Sequence, residues 1–145
     1  MSEAATTPID PTALPVISGV VAAVADGFIE LQLPGTDYRL KLAVDAGFSA
    51  QVGEKVSGVI RAQARRMDVV TAGGRFVEPV FGRPRRVQGR VSGGSVTDNA
   101  VYVTAGPRLC ITPLAPQTAG DFALGQMVSF DVEPGARFES LGARA

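Results

Sequence analysis

In "FIELQL" and "YRLKLAV" the side chains alternate between apolar and polar, the period-two pattern of a strand with one face buried. Phe28, Ile29, Leu31 and Leu33 alternate with Glu30 and Gln32, and Leu40, Leu42 and Val44 alternate with Arg39, Lys41 and Ala43. "EKVSGVIRAQ" continues the pattern, with Val56, Gly58, Ile60 and Ala62 on one face and Lys55, Ser57, Val59 and Arg61 on the other. Turn-forming residues separate these runs at Asp26-Gly27, Pro34-Gly35, Asp98-Asn99 and Ala105-Gly106-Pro107. "MDVVTAGGRFVEPV" reads as two strand-like runs around Gly73-Gly74, a hairpin signal. No segment sustains a helical pattern. The connectors "VDAGFSAQVG" and "APQTAGDFALG" have room for one or two turns, and Gly53 and Gly125 suit the left-handed conformation that ends them.

The pattern occurs twice. "GTDYRL" around Arg39 and Leu40 answers "AGPRL" around Arg108 and Leu109, "VGEKVSGVI" from Val52 answers "LGQMVSFDV" from Leu124, and "ARRM" from Ala64 answers "ARFE" from Ala136. The offset drifts only from 69 to 72 residues, which predicts an internal duplication. Each copy opens on a glycine-containing strand, at Gly19 or Gly89, where a long strand can bend. Three strands, a short connector and two more strands give the order of a five-stranded OB-type barrel. The fold class predicted is therefore all-β, two tandem OB-like barrels with very little helix. A single β-sandwich built from the whole chain is the alternative. The boundaries that follow are a disordered or extended lead-in over residues 1–15, barrel 1 with its terminal hairpin over residues 16–80, a basic linker over residues 81–88, and barrel 2 over residues 89–142. Copies this small bury modest cores alone, so the two are expected to pack together.

Composition narrows the chemistry. The chain has 145 residues, no histidine and one cysteine. The commonest general base and metal ligand is missing, and with it any histidine-dependent triad. Zinc-finger spacing and a phosphate-binding P-loop are absent too. Asp131 and Glu133 share a strand face and read as solvated. Cys110 reads as a small buried apolar residue. The expectation is a non-enzyme with no cofactor and no metal. A single cysteine and an acidic, proline-rich start without a signal-peptide pattern point to the cytoplasm, and no apolar run is long enough to span a membrane.

Net charge is zero but unevenly spread: residues 61–90 hold eight arginines against Asp68 and Glu78. OB-type barrels that hold single strands combine a cationic groove with stacking aromatics. On that ground the sequence assigns nucleic-acid contacts to Arg61, Arg65, Arg66, Arg83, Arg85 and Arg86, with Tyr38 or Phe81 under a base. Single-stranded DNA or RNA is then the partner. The competing reading is a structural or protein-interaction module. In it "GGRFVEPVFGRPRR" docks between the barrels, and its arginines pair with acidic residues such as Asp37, Glu54 or Asp131.

"ISGVVAAVADGFIELQL" followed by "VGEKVSGVIRA", with the counterpart "LGQMVSFDV", resembles the TOBE/molybdate-binding domain group. That resemblance implies small OB-like barrels in tandem and an oxyanion held by a Ser-Ala-Arg-Asn type motif on the first strand. At the matching places this chain has "PVISG" and "RRVQG", where only Ser18 corresponds in kind.

Overall fold

The computed structural model describes residues 7–9 and 13–141, and in them the chain is almost entirely β. Its strands are β1 (Thr7–Pro8), β2 (Ile17–Ala25), β3 (Phe28–Gln32), β4 (Arg39–Ala43), β5 (Lys55–Ala64), β6 (Asp68–Val70), β7 (Phe76–Glu78), β8 (Phe81–Gly82), β9 (Arg86–Ser95), β10 (Ala100–Thr104), β11 (Arg108–Pro113), β12 (Ala123–Leu124), β13 (Met127–Asp131) and β14 (Arg137–Ser140). A 3-10 turn, Ala119–Asp121, occupies the second connector.

Five strands close into a barrel. β2 pairs antiparallel with β3 and β5, β3 with β4, and β5 with β14. A parallel contact between β14 and β4 at Arg137 and Ala43 shuts the ring. The alternation seen in sequence explains the interior: Ile29, Leu31, Leu40, Leu42, Val56 and Ile60 point inward, and Phe138 fills the closure. Phe48, from the connector between β4 and β5, meets the Phe138 ring edge-on at 6.3 Å. Gly58 lies under Phe138, where a Cβ would stand 2.6 Å from the ring. The closing strand thus comes from near the end of the chain, far in sequence from the four it completes.

The remaining strands extend the same sheet. β9 pairs antiparallel with β10 and β13, and β10 with β11. β11 lies parallel to the end of β5, from Cys110 beside Arg61 to Pro113 beside Ala64. β13 takes β6 on its other edge, from Met127 beside Val70 to Ser129 beside Asp68. The segment leaving the barrel at Arg61 therefore supplies neighbours to both β11 and β13. Val91, Val101, Val103, Leu109, Ile111, Val128 and Phe130 face inward there.

β6 and β7 are not partners of each other, so the hairpin expected around Gly73-Gly74 does not form: β6 pairs with β13 and β7 with β9. Strand-like runs flanking a turn specify local conformation, whereas the burial of Val77 and Val87 selects the partner. Of the lead-in expected over residues 1–15, residues 1–6 and 10–12 lie outside the described residues; within the rest, β1 pairs with β12, and Ile9 is buried against Gly94.

Local features recur in the two halves. A β-bulge in β2 between Val21 and Ala23 matches one in β9 between Val91 and Gly93. Gly53 and Gly125, both at positive φ, donate their N–H groups to the Val21 and Val91 carbonyls at 2.8 and 2.9 Å. The Glu54 carboxylate accepts from the Gln51 N–H at 2.5 Å, and the Gln126 amide oxygen accepts from the Ala123 N–H at 2.9 Å. A Cβ at Gly19 would strike Leu31, and one at Gly89 would strike Val103 and the Thr104 carbonyl, so glycine admits close strand approach at both places.

Candidate nucleic-acid interface

Because Ile29 and Leu31 fill the barrel, their neighbours Phe28, Glu30 and Gln32 face out from β3; on β4, Arg39 and Lys41 face out beside Leu40 and Leu42. The register sets Glu30 opposite Lys41 and Gln32 opposite Arg39. β8 adds a third, parallel row, with Phe81 beside Arg39 and the Val80 carbonyl accepting the Arg39 N–H at 2.9 Å. Two cation–aromatic pairs result. The Lys41 ammonium sits 5.1 Å from the centre of the Phe28 ring, and the Arg39 guanidinium 4.8 Å from that of Phe81. Glu30 reaches Arg39 at 3.6 Å. Phe81 is 61% exposed, unusual for a phenyl ring. Gly82, at φ 126°, turns the chain away from β4 in a conformation that side chains resist. Arg83 and Arg85 follow in the exposed link to β9, and among the described residues neither makes an ion pair.

The other residues singled out in sequence lie elsewhere. The Tyr38 hydroxyl accepts the Val77 N–H at 3.1 Å and its ring lies against Gly106, so it joins the two halves. Arg61 donates to Glu139 at 2.6 Å and to the Cys110 sulfur at 3.4 Å. Burial opposes the Arg61 charge, but the Glu139 hydrogen bond together with electrostatic attraction from Cys110, Glu139 and Tyr102 outweighs it, and its pKa is raised. Arg65 pairs with Glu133, and that hydrogen bond raises its pKa too. Arg66 pairs with Asp68 at 3.1 Å. Both line a groove of about 380 Å³ floored by Leu114, Ala115 and Pro116. Arg86 is paired with Asp131 at 2.7 Å and with the Ser129 hydroxyl. Of the eight residues, Phe81, Arg83 and Arg85 are exposed, close in sequence and, among the described residues, unpaired with carboxylates. Sequence reasoning passed over Arg39 and Lys41, although their phase opposite Leu40 and Leu42 marked them as outward.

Ser18 is exposed, its hydroxyl 3.3 Å from that of Ser57. Among the described residues no group of three His, Cys, Asp or Glu side chains is arranged to hold a metal, and no helix is long and apolar enough to cross a membrane. Comparison with protein-family models, curated proteins and solved structures returned no match.

Proposed function

We propose that the chain is a non-catalytic module that binds single-stranded nucleic acid on the outer face of β3, β4 and β8. The observation that carries this reading is the exposed Phe81 ring beside Arg39, in line with the Lys41–Phe28 pair. Aromatic faces offer any base a stacking surface, and cations beside them offer the backbone phosphates a partner. The exposed Arg83 and Arg85, which follow Phe81 in the chain, are assigned further phosphate contacts. The single cysteine suits a reducing, cytoplasmic setting.

The architecture proposed is two OB-like barrels that have exchanged their fifth strands. Strand order β2-β3-β4-β14-β5, with β14 parallel to β4, is OB-type. The second copy uses β9, β10, β11 and β13, and takes its fifth strand from the Arg61–Val70 segment of the first. The matched bulges, glycines and carbonyl contacts support common descent of the copies. In OB barrels the face of strands two and three is where oligonucleotides lie, and here that face is β3 and β4.

Fluorescence anisotropy with labelled single-stranded DNA and RNA tests the reading. Binding should weaken as salt rises, because phosphate contacts release counterions. Phe81→Ala should cost about 1–3 kcal/mol of affinity, one stacked base, with an unchanged melting temperature. No binding at low salt rejects the proposal. Partners recovered from nuclease-treated extract, without oligonucleotide binding, favour the protein-interaction module instead.

A further inference from the structure

We infer that only one of the two equivalent faces is open to ligand, and that its counterpart on β10 and β11 is sealed into the body of the protein. The inference rests on the two-copy reading above. The registers equate the faces residue by residue. Glu30 pairs with Lys41 and lies across from Ala23, just past the first bulge. Tyr102 pairs with Cys110 and lies across from Gly93, just past the second. Phe28 corresponds to Ala100 and Arg39 to Arg108 by the same count.

The chemistry of the corresponding positions has diverged. Tyr102, Ala100 and Cys110 turn away from the interior that holds Val101, Val103, Leu109 and Ile111, yet Tyr102 is 4% exposed and Cys110 1%. With Val59 they form a separate buried cluster. The cause lies at the strand edges. β4 meets its fifth strand, β14, only at Ala43, and beside Arg39 and Leu40 it receives the short β8, which leaves its outer face open. β11 instead receives the end of β5, so Arg61 lies beside Cys110 with its guanidinium 3.4 Å from the sulfur and is held there by Glu139. At the other end of β11, Arg108 donates to the Val16 carbonyl at 2.5 Å and ties down the lead-in to β2. A cation–aromatic surface in one copy is a filled surface in the other, its Arg61 paired with Glu139 and its Arg108 turned to a backbone carbonyl. The chain should therefore hold one strand, not two.

Two measurements on the full chain test this. Cys110 is a built-in probe of the sealed face. Its reaction with an aromatic disulfide reagent should be more than about a hundredfold slower in the native protein than in denaturant, because access requires local opening. Arg61→Ala should speed native labelling. Native labelling at the denatured rate overturns the inference. The second measurement titrates a labelled oligonucleotide of about twelve nucleotides at protein concentrations far above Kd. One equivalent should saturate the chain, be lost in the double variant Phe81→Ala, Lys41→Glu, and survive Arg108→Glu. A second equivalent, or binding abolished by Arg108→Glu alone, overturns it. A protected Cys110 without any oligonucleotide binding removes the nucleic-acid reading and leaves the sealed face supported.

Discussion

Position, more than composition, decides what the arginines of this chain do. Arg61, Arg65 and Arg86 each meet a carboxylate from residues 131–139, so much of the local positive charge is neutralised by tertiary contacts. Such exposed or half-exposed pairs contribute little to stability, because water screens them. Reversing Arg65 should accordingly leave both melting temperature and oligonucleotide affinity nearly unchanged. Lys41→Glu, by contrast, should weaken binding and flatten its salt dependence. Cys110 gives a prediction in pH. Burial is the main cause raising its thiol pKa, with Arg61 pulling the other way. Below the ordinary thiol range, near about 8.5, neither folded nor unfolded chain ionises it and stability is unaffected. As pH rises past that value the unfolded chain loses the proton first, so stability falls. Cys110→Ala should remove that part of the alkaline loss in denaturant titrations.

Among the elements, β14 governs closure of the first barrel. Phe138 is fully buried in a ring whose other strands lie within residues 17–64. Phe138→Ala should therefore cost about 3–5 kcal/mol, read from a denaturant midpoint. Gly58→Ala should be harmful by another route, because the added methyl meets the Phe138 ring and the Glu139 carbonyl. Overpacking of this kind costs about 1–3 kcal/mol. Gly47→Ala, with open space around it and ordinary φ, is the control and should change little. Strand phase in these elements was legible: inward Leu31, Leu40 and Leu42, outward Glu30 and Lys41. The partners of β6 and β7 were not, because alternation specifies which side faces inward and says nothing of which edge is joined.

At the scale of the whole molecule, the exchange of strands proposed above predicts that the chain is one cooperative unit. The exposed stretch Thr71–Arg75 joins β6 to β7, and severing it leaves each half holding a strand the other needs. A protease site placed there should yield two fragments that stay together in native mass spectrometry and separate only in denaturant. Unfolding of the intact chain should be a single transition followed identically by fluorescence and circular dichroism. Fragments that part under native conditions, or two resolved transitions, would refute the exchange.

Sequence by itself determined the all-β character and the face that β3, β4 and β5 turn inward. These follow from local periodicity and turn chemistry, which act over a few residues. The tertiary structure decided which strands meet. It drew β14 back to Phe48 and Gly58, pushed Arg61 against Cys110, and left Phe81 in the open beside Arg39. Those outcomes depend on contacts between residues far apart along the chain, where burial of apolar surface and the neutralisation of charge choose the partner.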